Sequence, residues 1–205
     1  MQEVAVSLAL GWLGRNWVVG AAFMAGGFAC LAPLLAKLLP LPLLLLFLHT
    51  PGYMVHQVEE HARDRFRQFV NDRVFGGLDV LRPVDVLVIN LPVVWGLNLS
   101  ALYAAFARGA GFGLVAPYAM LVNALSHFGA SVRFRSYNPG VATSAIVFVP
   151  LGVTTILVVG ALPSVSTLHH ALGLGLAVLL HGVIIAQAVH RLATLRADGG
   201  IAGAL

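Results

Sequence analysis

The sequence predicts an all-α protein, a polytopic bundle of about six transmembrane helices. Hydrophobic residues make up 59% of the 205-residue chain, and only 12 basic and 8 acidic side chains are present. A soluble domain carries about 25% charged residues, so this chain could not cover a water-facing surface without leaving large apolar patches. The composition therefore excludes soluble, disordered and coiled-coil proteins. It predicts a single membrane domain over residues 1–205.

Six segments are apolar and long enough to cross a bilayer, which requires about 20 mostly apolar residues. The predicted spans are about 16–36, 38–62, 83–107, 112–132, 140–161 and 168–191. The uncharged stretch 136–190 is too long for one helix, and the turn-forming residues of 161–167 divide it into two spans. Residues 4–14 are apolar but short, so they either extend the first helix or lie at the interface.

Basic residues predict the orientation, because cytoplasmic loops are enriched in Lys and Arg. Ten basic residues fall on one side: Arg15, Arg63, Arg65, Arg67, Arg73, Arg82, Arg133, Arg135, Arg191 and Arg196. Only Lys37 and Arg108 lie at the opposite ends of the predicted spans. Both termini are therefore expected in the cytoplasm, with the run 63–67 continuing the second helix toward lipid headgroups. This topology explains the net charge of +4, so the bilayer is the expected partner and nucleic acid is not.

The end of the second span carries the first candidate site residues. Ionisable groups at membrane depth are costly and usually face the bundle interior or a water-filled cavity. His56, Glu59 and Glu60 lie three and four residues apart, so they share one helix face. A histidine and a carboxylate at this spacing occur in carboxylate-bridged metal sites of helical bundles. The same spacing also permits a simple intrahelical hydrogen bond.

Depth connects these residues with polar residues of other spans. His56, His127 and His181 lie six to ten residues before an arginine, and Asn90 lies eight residues after one. At about 1.5 Å per residue, all four are roughly 9–15 Å below the cytoplasmic boundary. Asn123 lies four residues before His127, on the same helix face. One shared polar site explains this better than unrelated buried groups do.

The residue types indicate metal chemistry at such a site. Imidazole and carboxylate ligands suit iron, zinc or manganese. A zinc site with two histidines and one glutamate would leave a position open for an activated water, whereas a dinuclear iron site would use both Glu59 and Glu60. The candidate metal ligands are His56, Glu59, Glu60, His127 and His181. The candidate catalytic residues are Glu59, Glu60, Asn123 and Tyr137. His61 and His190 are expected to be solvated at the cytoplasmic boundary.

Three motifs occur in order along the chain. They are His56-x-x-Glu59-Glu60, Asn123-x-x-x-His127 and Arg135-Ser136-Tyr137-Asn138-Pro139-Gly140-x-x-Thr143. Together they resemble the bacterial HXXEE-motif family of small integral membrane proteins, over roughly residues 38–191. The family is named for its motif and not for a reaction. The resemblance therefore implies a bacterial cytoplasmic membrane and supports the choice of site residues, but it implies no substrate.

The third motif also has a local interpretation. Pro139 and Gly140 are typical of a helix start, with Asn138 as the expected N-cap of the fifth span. Tyr137 would then lie at the cytoplasmic mouth of the site, where it could donate a hydrogen bond.

These patterns favour a membrane-embedded metalloenzyme, with iron or zinc, that acts on a lipid or other apolar substrate. A proton-coupled transporter or carrier is the main alternative, because intramembrane His and Glu residues also form proton relays. A structural subunit, in which buried histidines only hold helices together, is the third possibility.

Overall fold

The computed structural model describes the backbone of residues 2–202 and the side chains of residues 11–14 and 16–198. This part of the chain is helical, without a strand, which confirms the all-α prediction for it. The seven helices are α1 (Gln2–Leu38), α2 (Leu41–His61), α3 (65–74, Arg65–Phe69 followed by Val70–Val74), α4 (Pro83–Arg108), α5 (Val115–Phe134), α6 (Val141–Gly160) and α7 (Thr167–Ala202). The side chain of Arg15, counted above among the cytoplasmic basic residues, lies outside the described residues.

Four helical segments are long and apolar enough to cross a membrane, consistent with a membrane protein. They are Asn16–Leu38, Pro83–Arg108, Val141–Gly160 and Thr167–Asp198. The other two predicted spans correspond to α2 and α5, of 21 and 20 residues. These helices are long enough but less apolar, and α2 carries six buried polar residues: His49, Thr50, His56, Gln57, Glu60 and His61. Six spans with both termini in the cytoplasm therefore stays a prediction.

The first helix is longer than its predicted span. The backbone of residues 2–15 continues into the apolar segment without a break, so these residues extend the first helix. α1 packs along α2, with Ala21 and Ala25 against Met54.

α2 lies at the centre of the bundle, in contact with α1, α4, α5 and α6. Leu46 packs against α4 and α5, Tyr53 against α5 and α6, and Met54 against α1. Because α2 is surrounded by helices, polar side chains near its C-terminal end are buried among protein groups.

The expectation that the run 63–67 continues the second helix is wrong. α2 ends at His61, and Arg63 and Asp64 adopt left-handed conformations with φ of 59° and 61°. This reversal turns the chain so that the ring of Phe66 packs on those of His61 and His127, with centroid distances of 5.6 and 5.5 Å.

A buried asparagine fixes the segment that follows α3. The side chain of Asn71 donates to Asp79 Oδ1 and to the Leu81 carbonyl, and its oxygen accepts from the Leu81 amide, all at 2.9–3.0 Å. Arg67 pairs with Asp79 and with Asp64 at 2.9 and 2.6 Å. The segment between α3 and α4 is thereby held against the end of the bundle.

α3 ends in a π-helical turn at Val70–Val74, and two of the candidate membrane-spanning helices contain such a wide turn within their length. The latter two turns lie at Ile89–Trp95 in α4 and Ser144–Phe148 in α6. Pro92 lies within the first and Pro150 follows the second, and proline cannot donate the regular helical hydrogen bond. Such turns are frequent at functional sites, and here they accompany the buried Asn90 and Phe148.

The contact of α7 with α5 depends on a glycine. A Cβ at Gly173 would lie 3.0 Å from the Leu114 backbone, whereas one at Gly175 would meet nothing within 4 Å. We expect Gly173→Ala to destabilise the protein by about 1–3 kcal/mol through overpacking. Gly175→Ala is the matched control and should be neutral or stabilising by up to about 1 kcal/mol through helix propensity. Thermal unfolding in detergent measures both, and equal midpoints would contradict this packing.

Candidate metal centre

Two histidines and one glutamate converge in the interior of the bundle. His56 and Glu60 extend from α2 and His127 from α5, and their side chains are only 1%, 7% and 3% exposed. Nε2 of His56 lies 3.4 Å from one carboxylate oxygen of Glu60, and Nε2 of His127 lies 3.5 Å from the other. One ligand atom from each residue lies within 4.8 Å of the others. These three residues form the His–Glu cluster.

The dimensions of the His–Glu cluster fit a metal ion. Zinc binds histidine nitrogen and carboxylate oxygen at about 2.0–2.2 Å, usually with tetrahedral geometry, so two ligands are about 3.4 Å apart. Each of the two nitrogen–oxygen distances is close to this separation, although the two nitrogens lie next to different oxygens of the Glu60 carboxylate. Two imidazoles and one carboxylate are also a recognised ligand set for zinc and for non-haem iron(II).

A hydrogen-bond chain sets the tautomer of His56. Its Nδ1 lies 2.8 Å from the Thr143 hydroxyl, which also contacts Glu59 Oε2 at 2.5 Å. Because a carboxylate only accepts, the single hydroxyl proton of Thr143 goes to Glu59, and the hydroxyl oxygen accepts from Nδ1–H of His56. Nε2 of His56 therefore carries a lone pair, and it accepts no hydrogen bond from the described residues. This is the form in which histidine binds a metal.

Glu59 faces the start of α6 and not the His–Glu cluster. Its carboxylate accepts from the amides of Ala142 and Thr143 at 3.1 and 2.7 Å, and from the hydroxyls of Thr143 and Tyr137. Tyr137 thus donates the hydrogen bond that its predicted position allows. Burial and the Glu59 carboxylate raise the pKa of Tyr137 to about 12. The two glutamates of the motif therefore contact different groups.

Aromatic rings enclose the histidines. Phe148 stacks on His56 with a centroid distance of 4.1 Å and an interplanar angle of 28°. The His56 and His127 rings lie 4.9 Å apart, and Phe66 packs on His127 from the side of α3. The cluster is consequently shielded from water by apolar side chains of α3 and α6.

The turn before α6 approaches both imidazoles closely. Gly140 has φ of 98°, and a Cβ there would lie 2.6 Å from Cε1 of His127 and 2.8 Å from Cε1 of His56. Asn138, expected as an N-cap, instead donates from its buried side chain to the His127 carbonyl at 3.3 Å. Gly140 occupies the cap position, without a side-chain hydrogen bond. The third motif therefore packs against the site in addition to starting a helix.

His61 is buried, so the expectation that it is solvated is wrong. Its Nε2 lies 3.0 Å from Glu60 Oε2, and its ring packs on those of Trp17 and Phe66. Sequence position placed it at the helix end, where the reversal at residues 63–64 and the α1 contact could not be foreseen. His190 is exposed as expected.

The other predicted polar residues surround a cavity next to the cluster. Asn90, Asn123 and His181 line a cavity of about 450 Å³ together with Glu60 and His127. The sequence assigns Asn90, His127 and His181 to the same depth in the membrane, and in the structure all three line one cavity. His181, a predicted ligand, donates from Nδ1 to the Ala177 carbonyl of its own helix at 2.8 Å. It lies outside the three-residue group that could hold an ion.

Gln57 is a buried residue that the sequence patterns did not identify. Its side-chain nitrogen donates to Asn90 Oδ1 at 2.9 Å, and its oxygen accepts from the Trp95 indole at 2.8 Å. Gln57 joins α2 to the π-helical turn of α4 and fixes Asn90 at the cavity. The spacing argument selected a different face of α2, and full burial of a glutamine has no sequence signal of its own.

One comparison with known proteins gives a match. A family model described as a protein of unknown function with an HXXEE motif matches residues 47–155, just over half of the chain. The matched region contains the His–Glu cluster, Glu59 and Thr143. Comparisons with curated proteins and with solved structures gave no match.

The link between Glu59 and His56 can be tested at Thr143. We expect Thr143→Val to lower the free energy of unfolding by about 1–3 kcal/mol, because it leaves a buried imidazole N–H without its acceptor. Thr143→Ser retains the hydroxyl, so its free energy of unfolding should stay within about 1 kcal/mol of that of the wild type. Chemical unfolding in detergent measures stability, and ¹⁵N shifts of His56 report its tautomer. An unchanged His56 tautomer distribution in Thr143→Val would contradict the proposed hydrogen-bond chain.

The close approach of Gly140 provides a second test. Gly140→Ala should displace both imidazoles, since its Cβ would overlap their Cε1 atoms. It should lower the free energy of unfolding by about 1–3 kcal/mol in addition to the effect of backbone strain. Gly109→Ala is the control for strain alone, because Gly109 has φ of 113° with no atom within 4 Å of a Cβ. Histidine NMR shifts that change equally in both variants would contradict the specific role of Gly140.

Proposed function

This chain belongs to the family of proteins of unknown function with an HXXEE motif, and from that premise we propose that it is a membrane-embedded, metal-dependent enzyme. One divalent ion, iron or zinc, would bind the His–Glu cluster. The substrate would be a lipid or another apolar molecule in a bacterial cytoplasmic membrane.

One observation carries the proposal. Nε2 of His56, which carries no proton when the ring is neutral and Nδ1–H donates to Thr143, lies 3.4 Å from a carboxylate oxygen of Glu60, with both atoms buried. Two acceptor atoms that face each other repel, and a buried carboxylate without a countercharge is costly. A cation between the two atoms removes both penalties. A metal ion supplies that cation and uses the second histidine as its third ligand.

The ligand set favours a single ion. Glu59 is engaged by residues 137–143, so the dinuclear iron site considered from the sequence would lack its second carboxylate. Three protein ligands leave a coordination position open for water or substrate. A bound ion would supply Lewis-acid activation in the case of zinc, or oxygen chemistry in the case of iron.

The protein groups around the cluster have distinct tasks under this proposal. Asn123 and His181 project into the cavity and would bind the polar part of a substrate. His61, 3.0 Å from Glu60, can hold a proton next to the ligand carboxylate. Glu59 and Tyr137 were candidate catalytic residues; their contacts support a positioning role through Thr143 and His56.

The cluster would lie toward the cytoplasmic side of six spans. His56 and Glu60 are near the end of α2, and α2 is followed by the arginine-rich segment 63–67. His127 is likewise near the end of α5, before Arg133 and Arg135. The positive-inside rule supports this placement and cytoplasmic termini.

A proton-coupled carrier is the second candidate, and one observation favours it. Glu60 has three imidazoles, those of His56, His61 and His127, within 3.0–3.5 Å. A proton shared among these groups would also supply the missing cation. Metal content separates the two functions.

We expect the purified protein to contain about one iron or zinc ion per chain by elemental analysis. His56→Ala, Glu60→Gln and His127→Ala should each lower metal affinity by more than about tenfold, because each removes a ligand. His181→Ala should retain the ion. His49→Ala is the matched control for loss of a buried histidine, since His49 is 0% exposed on the same helix and lies outside the cluster.

Absence of metal from protein purified without chelators would overturn the enzyme proposal. In that case reconstituted vesicles with an imposed proton gradient test the carrier, whose transport should depend on Glu60. Loss of metal in His49→Ala as well as in His56→Ala would also contradict the assignment, because unfolding and not ligation would then explain the loss.

A further inference from the structure

A lateral groove runs between α4 and α7. These two helices have almost no direct contact, since α7 packs on α5 and on the turn Ala110–Gly113. The space between them contains two cavities, one of about 450 Å³ next to the His–Glu cluster and one of about 540 Å³ toward the other end of α4. Leu97 and Leu180 line both cavities. The two cavities therefore adjoin at these two residues, and together they make up the lateral groove.

The lining of the lateral groove is polar at one end only. Glu60, Asn123, His127 and His181 are grouped at the cluster end. The distant cavity is lined by small and aliphatic side chains and by Phe112, with a single hydroxyl. Its lining includes Val93, Ser100, Ala101, Ala104, Leu176 and Leu179. A ligand that fits this distribution has one polar end and a long apolar tail.

The dimensions of the lateral groove suit a chain-like ligand. The lining residues of α4 extend from Val86 to Ala104, which is about 27 Å along a helix. This approaches the thickness of the hydrocarbon core of a bilayer, about 30 Å. The groove is parallel to the helices, and so an occupant would lie along the direction of membrane acyl chains.

Access to the lateral groove differs between its sides. The apolar face of α3 closes the end near the cluster, with Phe66, Phe69 and Val70 in the lining. Between α4 and α7, by contrast, the lining residues Ile185 and Val189 are 59% and 54% exposed. In a spanning helix such residues face lipid. The exposed lining between α4 and α7 therefore gives an entry from the bilayer, while α3 partly covers the end next to the cluster, where Val74 is 46% exposed.

We propose that the lateral groove holds one acyl chain of a membrane lipid, which enters between α4 and α7 and brings its polar end to the His–Glu cluster. The two adjoining cavities, their one polar end and the exposed lining between α4 and α7 carry this assignment. The role of this lipid as a substrate rests on the proposed function, since it requires the metal site. The occupancy itself requires no metal.

A photoreactive lipid tests the occupancy directly. The full-length protein is reconstituted in nanodiscs of phosphatidylethanolamine and phosphatidylglycerol, with a trace of phosphatidylglycerol that carries a diazirine at the end of one acyl chain. After illumination, we expect labels in residues 93–104 and 176–180, at the end of the groove far from the cluster. Labels confined to the outer faces of the helices would overturn the proposal.

Two matched variants make the test independent of general lipid contact. Ala104→Trp fills the distant cavity and should lower labelling of residues 176–180 by about fivefold or more, the change expected of an overpacked site. Ala186→Trp places the same ring on an exposed position of α7 outside the lining and should leave labelling unchanged. Circular dichroism and gel-filtration profiles check that both variants fold. If Ala104→Trp does not fold, the positions of the labels in the wild-type protein still test the proposal.

Metal analysis of the same samples separates the two proposals. Labelled groove residues in protein without metal support the acyl-chain site while the enzyme proposal fails. Metal-loaded protein without groove labels overturns the acyl-chain site and leaves the enzyme proposal intact. A groove filled by a helix of a second copy would exclude the probe and give a dimer in nanodiscs or detergent, which also overturns the acyl-chain site.

Discussion

A buried carboxylate requires a compensating positive charge, and Glu60 is the residue that imposes this requirement here. Its side chain is 7% exposed, and the ion pairs that it makes within the described part of the chain are with histidines. Neutral imidazoles can donate at most one proton each, and that of His56 is already used at Nδ1 by Thr143. A cation bound in the His–Glu cluster, or a proton shared among the three imidazoles, would supply the balancing charge. Trp17, Phe66 and Phe148, from three other helices, exclude water from this centre and so strengthen the requirement.

The side chains of the adjacent glutamates Glu59 and Glu60 point in different directions because successive residues of a helix are about 100° apart around its axis. Glu60 faces His127 on α5, whereas Glu59 faces the amides that begin α6. Glu59 accepts hydrogen bonds there that would otherwise be missing at a helix N-terminus. Through the Thr143 hydroxyl, the same contact orients His56. The motif thus couples the docking of α6 to the tautomer of a residue in the His–Glu cluster.

The sequence predicts the axial position of each residue much better than its rotation about the helix axis. Distances to the arginine anchors correctly grouped His127, Asn90 and His181 around one cavity, because depth follows from the rise per residue. Whether a side chain at that depth points to the cluster depends on how its helix is turned by its neighbours. His181 forms a hydrogen bond within α7 instead of joining the cluster, and the sequence carries no signal for that. The burial of His61 likewise depends on the reversal at Arg63 and Asp64. Aspartate adopts left-handed conformations more readily than most residues, but arginine does not, so the sequence does not predict two successive residues in this conformation.

The gap between α4 and α7 costs less free energy in a bilayer than it would in water. In water, two unpacked apolar helix faces would be driven together by the hydrophobic effect. In lipid that driving force is absent, since acyl chains are as apolar as the lining residues. The gap can therefore persist while the aromatic side chains of α3 and α6 keep water from the cluster. A ligand that arrives from the membrane side can reach the cluster without opening it to water. Under the proposed function, exclusion of water and access for an acyl chain are two consequences of the same helix arrangement.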